Sequence, residues 1–305
     1  MKVNKPDFLI VGAPKAGTTS LHYYLSNHPE VYMSTPKDTG VFLNLAKIKE
    51  YRGEEDIRPP KGNFPTIESF FKIFENKKEN QIAGEASIGN LYFHKEVIPL
   101  IKEHLGDVKI IISLRDPIAR AFSAYAMQVR DSREHLSFSD SLEKEEERKK
   151  RNFEYIWYFR SCSMYYDQVK AYKDNFSDVK VVISEDFYID KDKYINDIFE
   201  FLNVSKNLQL DLETNLNQSG VPKNRQLHKW LVMKNKFRAV RLILPRNLRI
   251  YIYKNFLRDF IGYDKLKYNN EKLEYLLSFI QDDVVKLSEL LDRDLNSFWL
   301  DKYKK

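Results

Sequence analysis

The feature that most limits this chain lies near its start. Phe8-Leu-Ile-Val11 is a short apolar run, Gly12-Ala-Pro-Lys-Ala-Gly17 follows, and Thr18-Thr19-Ser20 leads into Leu21, Tyr24 and Leu25. An apolar run bounded by turn residues reads as a buried strand. Hydroxyl residues ahead of apolar positions at helical spacing read as N-cap chemistry and a helix start. Strand, glycine loop, helix is therefore the first unit. A buried strand that feeds a helix belongs to a parallel sheet covered by helices.

The rest of the chain repeats that grammar. Lys109–Leu114 is a second buried strand, ending at Arg115-Asp116-Pro117, and the proline starts a helix. Val179–Ile183 is a third strand, and Gln81–Glu85 a short strand end. Helices are predicted over 67–74, 97–105, 139–160, 165–176 and 194–202, with Gly106 closing the second of them. The stretch 47–78 reads as an irregular excursion around the first of these helices, broken at Arg58-Pro-Pro-Lys-Gly62. Two or three more helices finish the chain near Trp299. The expectation is an α/β three-layer sandwich. A central, mostly parallel sheet is flanked by helices, with a helical C-terminal portion, as one domain over 1–305.

Composition narrows the function. Of 305 residues 43% are apolar, with 20 Phe and 19 Tyr, which is ample core and excludes a disordered chain. The single cysteine, Cys162, excludes an intrachain disulfide and a cysteine-based zinc cluster, and it is expected as a small buried thiol. A net charge of +6 suits an anionic ligand at least as well as nucleic acid. No signal-peptide core is seen at the N-terminus. No stretch reaches the roughly 18 apolar residues of a membrane span. The one candidate, 238–257, is interrupted by Arg241, Arg246, Arg249 and Lys254. The expectation is a cytoplasmic protein with no membrane span. The charge run Glu143–Arg151 offers Glu145/Lys149, Glu146/Lys150 and Glu147/Arg151 as i, i+4 pairs and reads as a solvated helix face.

Gly12-x-x-x-x-Gly17-Thr18-Thr19 has the frame of a phosphate-binding loop, so the sandwich is expected to be P-loop-like. Glycines let backbone N–H groups close on an anion, and the following helix adds free N–H groups and a positive dipole end. Lys15, Ala16, Gly17, Thr18, Thr19 and Ser20 form the anion-binding set. A nucleoside triphosphatase places lysine directly after the second glycine. Here that position is Thr18, and Lys15 sits inside the turn, where it reaches a bridging or leaving oxygen beside a 5′-phosphate. A second anion site pairs Arg115 with Ser123, eight residues on. Arginine brings a two-pronged donor and serine one hydrogen bond. An ion pair from Arg115 to Asp116 is the plainer alternative. Both motifs lie beyond the carboxyl ends of strands, where open α/β sheets bind ligands.

Phe8-Leu-Ile-Val-Gly-Ala-Pro-Lys-Ala-Gly-Thr-Thr-Ser-Leu21 closely resembles the 5′-phosphosulfate loop of sulfotransferases that use 3′-phosphoadenosine 5′-phosphosulfate (PAPS). Leu25-Ser-Asn-His-Pro-Glu-Val31, Pro36-Lys37 and Phe42 are similar to the heparan-sulfate-type and bacterial branch. That branch shows Lys-Glu and an aromatic pair, whereas this chain has Lys37-Asp38-Thr-Gly-Val-Phe42. The resemblance implies PAPS as donor, its desulfated form PAP as product, and no metal. Arg115 and Ser123 then hold the 3′-phosphate. Gly84-Glu85-Ala-Ser-Ile-Gly-Asn-Leu-Tyr92 resembles a segment whose glutamate is the general base, with Ala86 in place of the usual lysine. Glu85 is thus the expected base and His22 its rival, and Lys15 stabilises the leaving phosphate. Lys37, His22 and Ser87 are expected toward the acceptor. Tyr165 and Gln168 resemble a helix start near the nucleotide. Lys223 and Arg225 lie in a stretch that resembles a loop closing over the donor. The acceptor is expected to be a hydroxyl or amine of a saccharide or small molecule, not a nucleic acid.

Three other readings compete. A P-loop kinase of small molecules or nucleotides needs Mg²⁺ ligands and a lysine where Thr18 stands. A non-catalytic PAPS or nucleotide binder is kept open by Ala86 and Gly40. A nucleic-acid-binding protein lacks any RNP, helix-turn-helix or zinc signature here. Oligomeric state is not legible in the sequence.

Overall fold

Phe8–Gly12 (β1), Val31–Met33 (β2), Ile82–Ala86 (β3), Lys109–Leu114 (β4) and Val179–Ile183 (β5) form one sheet in the order β2-β3-β1-β4-β5. Every pairing in it is parallel. This is a computed structural model. It describes residues 4–48, 64, 66–131, 133–206, 221–222, 263–264 and 270–303. Val221–Pro222 and Tyr263–Asp264 add a small antiparallel pair.

Alternation along β1 explains the layers. Successive side chains of a strand point to opposite faces. Leu9 and Val11 join Ile110 and Ile112 in one buried cluster, and Phe8 and Ile10 join Ile111 in another. The second cluster is closed by Leu21 and Leu25 of helix Thr18–Ser26 (α1) and by Ile198 and Phe199 of Lys191–Leu202 (α11). The first is closed by Val97 and Ile101 of His94–Leu105 (α5), by Ala121 of Pro117–Arg130 (α6) and by Leu276 and Ile280 of Asn270–Leu291 (α12). The central strands are apolar on both faces because both faces are covered. The expected three-layer arrangement is what the chain adopts.

Strands β1, β4 and β5 start where the apolar runs start. Strand β2 was not foreseen, since three residues at the sheet edge carry little pattern. The helix at 67–74 is Ile67–Phe71 (α3) with a 3₁₀ turn to Phe74. The helix predicted over 139–160 is not continuous. Phe138–Glu143 (α7) and Glu145–Lys150 (α8) are followed by an irregular stretch with 3₁₀ turns at Tyr155–Trp157 and Ser161–Ser163. Its aromatics are the cause: Tyr155, Trp157, Tyr158 and Phe159 are all buried, and a straight helix cannot turn adjacent rings into one core.

The charge run needs the same correction. Its face is only partly solvated, because Glu145 has no exposed surface and Arg148 is buried. The Glu145 carboxylate accepts from the backbone N–H of Arg160 (2.7 Å) and of Ser161 (3.0 Å). Arg148 pairs with Glu134 at 2.7 Å and lies 4.6 Å from the centre of the Trp157 ring. Buried charge is tolerated here because each group has a partner. Lys149 reaches Glu145 at 3.5 Å and Arg151 reaches Glu147 at 3.8 Å, as the spacing predicts, while Glu146 pairs with Lys149 at 2.9 Å. Cys162 is buried and donates to the Tyr155 carbonyl. Among the described residues no helix is long and apolar enough to cross a membrane. The stretch 238–257 lies outside them.

Gly12 is where the strand becomes the loop. It sits at φ +154°, and a Cβ there would stand 2.5 Å from Leu91 Cβ and 3.0 Å from the Ile88 carbonyl. Helix Gly89–Tyr92 (α4) presses directly on the strand end. Gly12→Ala is expected to cost about 3 kcal/mol of stability through overpacking and backbone strain. Chemical denaturation checks this, and an unchanged midpoint would contradict it.

Candidate functional site

The site follows from the strand order. In sheet sequence, the carboxyl ends of β3, β1, β4 and β5 deliver Glu85, the loop Gly12–Gly17, Arg115 and Ser184-Glu185 to one edge. Ala13 N–H donates to the Ser113 carbonyl at 2.6 Å, and Ser113 Oγ donates to the Ala16 carbonyl at 2.5 Å. An Arg115 Nη donates to the Lys15 carbonyl at 3.3 Å. The glycine loop is therefore stitched to the end of β4.

Helix α1 starts differently from the sequence expectation. Gly17, at φ +82°, is the N-cap, and no side chain caps the helix. Thr18, Thr19 and Ser20 do not act as capping hydroxyls; they form the open first turn. The first N–H groups of a helix have no intrahelical partner. With no side chain on them they are available to an anion, together with the dipole end.

Lys15 occupies the left-handed region at φ 69°, uncommon outside glycine. Its ammonium lies 3.7 Å from Met127 Sδ, and no acidic residue pairs with it among the described residues. Burial lowers its pKa to about 8, and the positive charges of Arg130, Arg115 and Arg120 push it the same way against Asp131. A half-buried lysine facing arginines is a place prepared for negative charge.

Arg115 is half-buried and does not pair with Asp116. The buried Asp116 carboxylate instead caps α6, accepting from Ile118 N–H (2.9 Å) and Ala119 N–H (3.1 Å). It also accepts from the Tyr303 hydroxyl at 2.7 Å and pairs with Lys302 at 2.6 Å. Asp116 N–H donates to Glu185 at 3.0 Å. Ser123 is half-buried on α6, two turns beyond Arg115. Tyr165 is fully buried and donates its hydroxyl to the Arg115 carbonyl at 3.0 Å. It reaches the site by supporting Arg115 rather than by offering a surface. Gln168 is buried as well, donating to the Ser161 carbonyl at 3.1 Å.

Helix α12 holds this wall from behind. Asp283 accepts from the N–H groups of Tyr165 (2.7 Å) and Tyr166 (3.2 Å) at the start of Tyr166–Asn175 (α9), and burial raises its pKa to about 6. Arg293 makes a two-pronged pair with Asp186 at 2.6 and 2.8 Å.

Glu85 lies on β3 opposite Leu9 of β1, with no exposed surface. Thr39 Oγ1 donates to its Oε1 at 2.8 Å, Thr39 N–H donates at 3.3 Å, and Ser87 Oγ donates to the same oxygen. Its Oε2 has no partner. Burial raises the pKa to about 7, against the lowering effect of the Ser87 and Thr39 hydrogen bonds. Ser87 also accepts from Gly40 N–H at 3.0 Å, so it ties the loop to Glu85. In that loop Asp38 accepts from Ile88 N–H at 3.1 Å and pairs with Lys37 at 3.3 Å; both side chains keep part of their surface. Sequence reasoning met Asp38 only as a departure from Lys-Glu. His22 Nε2 lies 3.1 Å from the Ser34 carbonyl, and burial lowers its pKa. That bond ties α1 to the residue after β2, and Nδ1 lies 3.3 Å from Ser26 Oγ.

Lys15, Arg115 and Glu85 thus lie at or beyond the carboxyl ends of neighbouring strands, with Ser123 on α6; Ser87 bonds Glu85, while Lys37 pairs with Asp38 and His22 meets Ser34. Lys223 and Arg225, and the loop from Asn217, lie outside the described residues.

A parallel sheet whose edge carries an uncapped helix start, a lysine inside the preceding turn and an adjacent arginine defines an α/β protein with cations and free N–H groups at one sheet edge. The sulfotransferase family pattern matches residues 6–207, and the chain belongs to that family. It is 30% identical over 128 residues to the membrane-associated sulfotransferase kil1 of Dictyostelium discoideum, covering 41% of this chain and 23% of that protein. It is 32% identical over 124 residues to the bifunctional heparan sulfate N-deacetylase/N-sulfotransferase 2 of Bos taurus, covering 40% of this chain and 13% of that one. The matched stretches are therefore a small part of both relatives. The crystal structure of a sulfotransferase from Alicyclobacillus acidocaldarius superposes with a TM-score of 0.71 and 29% identity, over 97% of this chain and 99% of that one.

Proposed function

We propose that this protein transfers a sulfuryl group from PAPS to a hydroxyl or amine of a saccharide or small-molecule acceptor. The observation that carries this reading is Lys15: half-buried, facing Arg115 and Arg130, and without a carboxylate partner among the described residues. The donor's 5′-phosphosulfate fits the loop and the open first turn of α1. Its 3′-phosphate fits Arg115 and Ser123. In an in-line displacement the acceptor atom bonds to sulfur as the bond from sulfur to the 5′-phosphate oxygen breaks, and the electron pair leaves with PAP. Lys15 and the N–H groups of Thr18, Thr19 and Ser20 stabilise the charge that grows on that oxygen. A metal has no role in this scheme. Lys223 and Arg225 are assigned to closure over the donor on the resemblance alone. A cytoplasmic location, inferred from the single cysteine, belongs to the same proposal.

Glu85 is the proposed proton acceptor, since a base works best with a pKa near the operating pH and burial sets it at about 7. A second reading is favoured by exposure. Glu85 has no surface, whereas Asp38 above it does. In that reading Asp38 touches the acceptor, and Glu85 holds the loop through Thr39 and Ser87.

Calorimetric titration with PAP, with and without Mg²⁺ and beside ATP, tests the donor. Metal-independent PAP binding is expected, weakened at least about 100-fold in Arg115→Ala, the scale of a lost charged two-pronged contact. Mg²⁺-dependent ATP binding without PAP binding would overturn the proposal in favour of a kinase. PAP binding without turnover on any acceptor tried would favour a non-catalytic binder.

A further inference from the structure

Asp116 follows Arg115 and precedes Pro117, so its backbone forms the corner between β4 and α6. It has no exposed surface. Its two carboxylate oxygens have separate partners. Oδ1 accepts from Ile118 N–H at 2.9 Å and from Ala119 N–H at 3.1 Å, which caps α6. Oδ2 accepts from the Tyr303 hydroxyl at 2.7 Å and pairs with Lys302 Nζ at 2.6 Å. Among the described residues these two are the partners of Oδ2. Both belong to the 3₁₀ turn Asp301–Tyr303, which lies beyond residues 6–207 that the family pattern matches. The peptide between Arg115 and Asp116 is held as well. Tyr165 donates to its carbonyl at 3.0 Å, and its N–H donates to Glu185 at 3.0 Å. From this corner Arg115 reaches the Lys15 carbonyl at 3.3 Å.

We propose that Tyr303 and Lys302 are positioning residues for Arg115. The C-terminal turn clamps the Asp116 carboxylate and thereby fixes the corner from which the guanidinium extends. A buried carboxylate oxygen that loses its partners is costly, so without the clamp Asp116 turns toward water. Asp116 and Arg115 share one peptide unit, and that turn moves Arg115 away from the glycine loop. The clamp closes across 187 positions, so residues far outside the donor motifs set the geometry of one of them. This rests on the donor reading above, in which Arg115 binds the donor.

Tyr303→Phe removes the hydroxyl and keeps the ring against the core. A double-mutant cycle with Arg115→Ala, read by calorimetry with PAP, shows whether the hydroxyl acts through Arg115. In the wild-type background Tyr303→Phe is expected to weaken PAP binding about fivefold, the scale of one hydrogen bond. In the Arg115→Ala background the same change should move the affinity by less than about twofold, because the group it positions is gone. Lys302→Met removes the other partner of Oδ2 from a side chain that is 54% exposed. It should repeat the pattern with a first step of about threefold, the upper part of the range for a pair with one exposed partner. A merely structural turn predicts equal losses in both backgrounds, or a lower melting temperature with PAP affinity unchanged. Either result would overturn the inference, as would affinity and melting temperature that both stay at the wild-type values. If Tyr303→Phe does not fold, Lys302→Met carries the cycle. A wild-type protein that fails to bind PAP at all would instead sink the donor reading beneath it.

Discussion

Lys15→Ala is expected to lower turnover roughly 10²- to 10³-fold, the usual effect of removing one donor that stabilises developing charge. The fold should not suffer. Among the described residues the ammonium's one hydrogen-bond contact is Met127 Sδ, and the arginines around it outweigh Asp131. Its pKa in the free protein, about 8, is below the ordinary 10.5. Between those values the unfolded chain holds a proton that the folded one has lost, so stability rises with pH across that window. Below it, charged Lys15 is a burden on the fold, and Lys15→Ala should therefore melt no lower than wild type at pH 7. The same titration shapes the rate. kcat/KM reports the free enzyme and should fall above about pH 8 as Lys15 loses its proton. A bound phosphosulfate draws the proton back, so the descending limb of kcat should lie at higher pH. Timed release of PAP across a pH series checks both limbs. Retained turnover in Lys15→Ala would remove this residue from the chemistry.

Glu85→Gln is expected to cost about 10²-fold in kcat, at the lower end of what a general base contributes. Its effect on stability should have the opposite sign. The carboxyl group titrates near 7 in the fold against an ordinary 4.5, because burial disfavours the charged form. In that window the folded protein holds a proton that the unfolded chain has lost. Stability therefore falls as pH rises from 4.5 through 7. Glutamine keeps an oxygen for Thr39 and Ser87 and carries no charge, so the variant should flatten this slope and be the more stable form above pH 7. Denaturation midpoints at several pH values measure the slope, and the ascending limb of kcat/KM measures the base. Asp38→Asn separates the two readings. If it abolishes the ascending limb while Glu85→Gln only shifts stability, Asp38 is the proton acceptor and Glu85 the anchor of its loop.

Much of the proposed donor site could be read along the chain. The glycine loop, Lys15 inside it, Arg115 at a strand end and Ser123 two turns later are each local patterns. Their spacing already placed two anion sites beyond the same sheet edge. The proposed acceptor side was less legible. Glu85 could be singled out by resemblance, yet its burial against Thr39 and Ser87 could not, nor could the partial exposure of Asp38. Tyr165 was expected beside the nucleotide and instead bears on Arg115 from within. The charged stretch from Glu143 shows the same limit: its i, i+4 pairs were visible, but not that Glu145 and Arg148 turn inward to meet Arg160 and Glu134.

The sequence by itself determined strands β1, β3, β4 and β5, the glycine turn that follows β1, the parallel sheet and the identity of the cations beside it. Those depend on residues a few positions apart: apolar periodicity, glycine where φ is positive, proline after a cap. The tertiary structure alone decided which charges are paired. Asp116 meets Tyr303 across 187 positions and Tyr165 meets Asp283 across 118, so no local pattern announces that Asp116 is taken and Arg115 left available. It likewise decided that Glu85 and Lys15 lose water while Asp38 keeps it. Burial and pairing set the proton affinity of each group, and both are properties of what the fold brings alongside a residue, not of its neighbours in the chain.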